Sequence, residues 1–159
     1  MFHRMLSTFG PCLVLALLVA LPEVVLAVGS GPAPTPAPPP AAPRSAETDY
    51  NAGLQAKADQ RFPAAVSSFR RAVEARPDFP EAWNELGFAL RQTGKYDEAL
   101  RAYDRALKLR PNFPEAMEYL GEAYVKLGRL DDARGILERL KPLDAGRAEE
   151  LDRAIRTGR

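Results

Sequence analysis

The chain is 159 residues long, room for one compact domain with tails, and its 22 basic and 21 acidic residues leave a formal charge of +1. So balanced a chain creates no overall field to draw it onto nucleic acid or an anionic membrane, and it shows no one-sided basic stripe, so a nucleic-acid role is not expected. Its 15 prolines exclude a uniformly helical chain, and seven of them fall between Pro32 and Pro43.

Residues 1–27 read as an export signal. His3 and Arg4 precede an apolar run from Cys12 to Leu21, and Val25-Leu26-Ala27 supplies the small residues of a cleavage site, so cleavage is expected after Ala27. Pro22 and Glu23 cut the apolar run well short of the roughly 20 residues that span a bilayer, which disfavours a retained anchor and predicts no stable membrane insertion after cleavage. Cys12 stands at the start of the run and not just behind it, which argues against lipid attachment. Because Cys12 and His3 are the only cysteine and histidine, the mature chain would form no disulfide, build no Cys/His zinc site and hold no histidine base. No metal and no cofactor is expected. The destination is periplasmic or secreted.

Residues 28–45 form a Pro/Ala-rich linker, with GSGPAPTPAPPPAAP running from Gly29 to Pro43. This composition buries no apolar surface and favours extended polyproline II, a spacer reaching at most roughly 45 Å.

Beyond the linker the chain repeats with a period of 34: ARPDFPEAW from Ala75 returns as LRPNFPEAM from Leu109. Units at 46–79, 80–113 and 114–147 align without a gap, bringing Gly53, Gly87 and Gly121 to one place and Ala65, Ala99 and Ala133 to another. Two antiparallel helices approach closely only where a small residue admits the neighbouring chain, and a mid-helix glycine otherwise costs about 1 kcal/mol against alanine. Phe62, Tyr96 and Leu130 share a further place, as do Phe69, Tyr103 and Leu137, and both sets are expected in the core. Pro77 and Pro111 stop second helices, Pro63, Pro80 and Pro114 suit first turns, and Gly94, Gly128 and Gln60 mark the turn within each pair. Helices are therefore predicted over 47–59, 63–76, 81–93, 97–110, 115–127 and 131–141.

In the middle unit Trp83, Leu86, Gly87, Leu90, Ala99, Tyr103 and Pro111 resemble the tetratricopeptide repeat. The third unit offers Met117, Leu120, Gly121, Tyr124, Ala133 and Leu137; the first has Asp49 and Ala52 where Trp and Leu are usual, but keeps Gly53, Ala65, Phe69, Ala72 and Pro77. The third unit departs at its end, where Pro142 comes three places early and Gly135 weakens the helix before it. A last helix over 144–157, capped by Asp144 and carrying Ala148, Leu151 and Ile155 on one stripe, covers the end of the stack. The resemblance implies an all-α fold, three tandem helix-turn-helix repeats in a right-handed superhelix plus a C-terminal capping helix.

The resemblance also implies that the first helix of each pair lines a concave groove, here through Glu47, Tyr50, Leu54, Lys57 and Ala58, then Glu81, Asn84, Phe88, Arg91 and Gln92, then Glu115, Glu118, Glu122, Val125 and Lys126. Leu54 and Phe88 would place apolar surface on the concave face, where a buried anchor contributes most to binding. Glu115, Glu118 and Glu122 gather at the third unit while Lys57 and Arg91 edge the first two, so the expected partner is a protein or peptide segment with an apolar anchor and basic residues. Relatives that hold acidic chaperone tails use Lys, Asn and Arg where this chain has Tyr50, Leu54, Glu85, Glu115 and Tyr119, which disfavours that partner. Ser67 and Ser68 lack a histidine partner and no phosphate-cradling glycine loop is present, so an enzyme is not expected. The implied function is an interaction module, adaptor or assembly factor for an envelope or secreted complex, monomeric or weakly homo-oligomeric. A self-assembling structural repeat protein is the alternative.

Overall fold

The computed structural model describes residues 45–158; the expected leader, and the expected linker up to Arg44, lie outside the described residues. Seven helices follow in order: α1 Ala46–Ala58, α2 Phe62–Ala75, α3 Pro80–Gln92, α4 Tyr96–Leu109, α5 Pro114–Lys126, α6 Leu130–Leu140 and α7 Ala145–Thr157. There is no strand among the described residues.

Each of the six repeat helices starts and ends one residue earlier than its sequence spacing predicts. Pro80 and Pro114 occupy the first helical position itself, where a missing N–H costs nothing, behind Phe79 and Phe113 as caps. At the other ends Pro77 and Pro111 force the preceding Arg76 and Arg110 out of the helix, to φ −141° and −134°. Gly94 and Gly128 take φ of 77° and 70° in the turns, and Gln60 adopts the same left-handed region at 56°, a conformation that costs a side-chain-bearing residue roughly 1–2 kcal/mol. Asp144 caps α7, its carboxylate accepting from the Arg147 amide at 3.0 Å.

Consecutive helices pack antiparallel in pairs, and each second helix also packs on the first helix of the next unit. The first helices come together as well, α1 with α3 and α3 with α5, whereas the backbones of α2 and α4 stand further apart, bridged by the Arg70–Glu98 ion pair. Closer spacing on one side than the other curves the stack, so α1, α3 and α5 form its inner face.

The close approach within a pair rests on the repeated glycines. A Cβ at Gly53 would lie 2.5 Å from the Phe69 ring, and one at Gly87 would lie 2.6 Å from the Tyr103 ring. Phe69 and Tyr103 are consequently fully buried, together with Ala65, Ala99 and Ala133. At Gly121 the occupant is not Leu137 of the same unit but Leu151 of α7, which would stand 2.5 Å from a Cβ there. The last helix thus seals the third pair through the same kind of niche.

Phe62, Tyr96 and Leu130, expected as core, are only half-buried, because each is the first residue of its helix and lies at the rim of the pair. In the first unit Asp49 takes the place of Trp83 and Met117, yet it is buried, its carboxylate held by Arg71 at 2.8 Å.

Two glycine replacements separate packing from helix propensity. Gly87→Ala drives a methyl group into the Tyr103 ring and is expected to lower stability by about 1–2 kcal/mol net of its propensity gain. Gly135→Ala in α6 meets nothing within 4 Å and is expected to raise stability by about 0.5–1 kcal/mol. Urea unfolding followed by circular dichroism checks both.

Candidate partner-binding groove

The inner face presents the first helix of every pair, so one place in the repeat becomes a row running across the groove. Tyr50, Asn84 and Glu118 make one row, Leu54, Phe88 and Glu122 a second, and Lys57, Arg91 and Val125 a third. Of these, Tyr50, Leu54, Lys57, Phe88, Arg91 and Glu122 are partly exposed, as is Glu115, while Gln92 is open to solvent. Asn84, Glu118 and Val125 are only 1%, 4% and 5% exposed. They form the floor beneath the surface that a partner would meet.

A chain of aromatic contacts reaches from Phe62 of α2, at the rim, across Phe88 and Tyr119 of this face to the core. Phe62 meets Phe88 at a centroid distance of 6.2 Å, Phe88 meets Tyr119 at 5.4 Å, and Tyr119 meets the buried Tyr103 at 6.3 Å. On the first helix Tyr50 packs against Phe79 at 4.8 Å and Phe69 at 5.8 Å.

Cations and carboxylates interlock around the rings. Lys57 donates to Glu85 at 2.6 Å and places its ammonium 4.4 Å from the Phe88 ring centre. Arg91 pairs with Glu122 at 2.9 Å and lies 5.5 Å from both the Phe88 and Tyr119 rings. Each cation of one unit therefore holds a carboxylate of the next. Glu118 is held by Arg147, which reaches in from α7. The pairs Arg76 with Glu47 and Arg110 with Glu81 share its sequence separation of 29 residues. The Arg147 pair thus continues a series, displaced by one helical turn at the irregular end of the third unit. The acidic third unit read from the sequence is in this way largely compensated: among the described residues Glu115 alone of Glu115, Glu118 and Glu122 has no ion-pair partner.

Burial sets the electrostatics of the face. It pushes the Glu85 carboxyl above the ordinary glutamate value despite the Lys57 hydrogen bond, and it raises Glu118 against the opposing pull of Arg147. Burial would raise Glu81 too, but the hydrogen bond from Arg110, a backbone hydrogen bond and the nearby arginine charges bring it below the usual range. Tyr119 is pushed up to about 12 by burial and by Glu115, Glu118 and Glu85, and Tyr50 is raised by burial and by Glu85, Glu81 and Glu115. These tyrosines stay neutral donors at any physiological pH.

Glu85 and Tyr119 are prominent here but lie outside the three rows. Glu81, Glu85, Phe88 and Gln92 follow the four-three-four spacing of a single helix face, and Glu115, Tyr119, Glu122 and Lys126 repeat it. That periodicity was the signal for them. On the outer side, a separate cleft of about 580 Å³ between α2 and α4 is floored by Val73, Trp83, Leu86 and Leu90, with the Arg70–Glu98 ion pair at 2.6 Å on its lining. It is the crevice left where the second helices splay.

Sequence profiles described as tetratricopeptide repeat match residues 50–100 and 90–155. Among proteins of curated function none matches the sequence. The TPR2B domain of yeast Sti1, solved in a pHsp70 complex, superposes with a TM-score of 0.67 at 20% identity, over 71% of this chain and 94% of that one. The first TPR of Spaghetti (RPAP3), bound to the HSP90 peptide SRMEEVD, gives 0.67 at 19% identity, over 73% and 94%. A chain of the CopN-Scc3 complex gives 0.61 at 28% identity, over 67% and 66%.

The carboxyl shifts order the titration of the groove. In an NMR pH titration Glu85 and Glu118 are expected to take up protons at higher pH than Glu81 and Glu47. For the raised pair, the cost of staying charged is full at neutral pH, falls as pH drops through the folded pKa, and is gone below the unfolded value near 4.5. For the lowered pair, the stabilisation is full above 4.5 and is lost as pH falls through the folded pKa.

Proposed function

From a chain built of tetratricopeptide repeats, modules whose fold serves protein–protein interaction, we propose an exported adaptor or assembly factor that holds a segment of a partner protein against α1, α3 and α5. One observation carries this reading: the Phe88–Tyr119 ring pair lies half-buried on a concave face, flanked by charges already held in pairs. Such a surface supplies apolar area for an anchor side chain without an unpaired cation beside it, the arrangement found at the desolvated centre of interfaces. The chaperone peptide in the RPAP3 structure carries the acidic sequence SRMEEVD. In this chain Glu85 and Glu115 oppose such a ligand, and the partner is of a different kind.

The experiment is affinity capture from envelope extract with the purified exported chain, beside a Phe88→Ala/Tyr119→Ala variant of unchanged helicity. Loss of a hot-spot pair is expected to weaken retention of the partner by at least about tenfold, or about 1.4 kcal/mol. Equal retention by both baits would move the binding surface off this face, and retention of the chain alone, with a mass that rises with concentration, would establish self-assembly instead.

Export is the second part of the reading, supported by the apolar run and the small residues ahead of Val28. Chain expressed with its leader in a Gram-negative host and recovered from the envelope fraction is expected to begin at Val28 on N-terminal sequencing. Recovery from the cytoplasm with Met1 or Phe2 at the terminus would overturn it.

A further inference from the structure

The groove reading above is the premise of this inference, which concerns what the groove selects. Tyr50 on α1, Glu85 on α3, and Glu115 and Tyr119 on α5 all lie in the first halves of three neighbouring, similarly directed helices. All four sit on the inner face, Tyr50, Glu115 and Tyr119 partly exposed and Glu85 buried, and burial together with the charges of Glu85 and Glu115 raises both tyrosines. Two of these groups are carboxylates and two are aromatic rings, whose faces attract cations, and the one cation that Tyr119 also feels, Arg147, is engaged with Glu118.

The charge inventory leaves one negative charge over. Lys57 takes up Glu85 at 2.6 Å and Arg147 takes up Glu118, but among the described residues no lysine or arginine pairs with Glu115. Alongside, Lys57 already shows a cation seated between a carboxylate and a ring, on Glu85 and 4.4 Å from the centre of Phe88.

We propose that the space between Tyr50, Glu85, Glu115 and Tyr119 receives one cationic side chain, lysine or arginine, of the partner segment, and so sets the groove's specificity. The cationic end pairs with Glu115 between the two rings, while an apolar neighbour in the segment rests on Phe88. A carboxylate entering the same space would meet the unpaired charge of Glu115.

The test is a selection of random twelve-residue peptides displayed on phage against the immobilised exported chain, with Glu115→Gln, Glu115→Lys and Phe88→Ala baits alongside, all checked by circular dichroism. The expected result is a lysine or arginine at a fixed distance from an apolar residue. A selected peptide should bind the Glu115→Gln chain at least about tenfold more weakly, and the Glu115→Lys bait should select an acidic residue at the same place. Should the Glu115→Lys chain fail to fold, the near-isosteric Glu115→Gln comparison still decides. Apolar enrichment with no charged position, an acidic residue selected by the native chain, or equal affinity for the Glu115→Gln chain would overturn the cation site and leave the groove standing. No enrichment over bare support, or enrichment indifferent to Phe88→Ala, would overturn the groove and the cation site together.

Discussion

The distance between two helix backbones at a glycine governs the rest of this molecule. Where Gly53 faces Phe69 and Gly87 faces Tyr103, the ring occupies the volume that a Cβ would need, so the helix pair settles at one separation. That contact recurs after 34 residues in the second unit, and Leu151 of α7 fills the corresponding niche at Gly121 in the third; stacking such pairs brings α1, α3 and α5 together while α2 and α4 part. The concave face is a consequence of this packing. Phe88 lies half-buried on it, and Tyr119 beside it packs partly against the core, near the buried Tyr103.

A second layer of order comes from charges. The pairs Lys57 with Glu85 and Arg91 with Glu122 each join one unit to the next, and Arg76 with Glu47 and Arg110 with Glu81 close individual units. The more exposed Arg76 and Arg110 pairs contribute only about 0–1 kcal/mol each, and in the part-buried Lys57 and Arg91 pairs much of the attraction offsets the cost of burial, so their importance is not stability. They fix where charge is displayed. Had Lys57 and Arg91 been unpaired, the face would attract acidic segments; with both engaged, the remaining polarity is that of Glu115 and the tyrosine rings.

The sequence made the helices and their pairing readable, because a 34-residue period with glycine and proline at recurring places constrains backbone geometry directly. The uniform one-residue displacement of the helices has a local cause: proline at a helix start counts as helix, and the residue ahead of a proline does not. The groove was less legible. A row drawn through Tyr50, Asn84 and Glu118 is correct as topology, but whether a side chain contacts solvent depends on how far the inner helices lean toward one another, and Asn84 and Glu118 end up beneath the surface. The pairing of the charges was hidden for a related reason. Partners such as Lys57 and Glu85 lie 28 residues apart, which falls short of the repeat, so aligning the units does not bring them together.

The C-terminal helix joins these two layers. An end cap needs only an apolar stripe, and Ala148, Leu151 and Ile155 provide it, with Leu151 in the niche of Gly121. Arg147 goes beyond that need. It stands one turn from the Asp144 cap and delivers a counter-charge to Glu118, a carboxylate only 4% exposed that would otherwise be stranded in the floor of the groove. Docking of α7 and the charge of the groove floor are therefore tied together, because Arg147 belongs to the cap and Glu118 to the floor. A repeat array that ended in a merely polar helix would leave that carboxylate without its counter-charge.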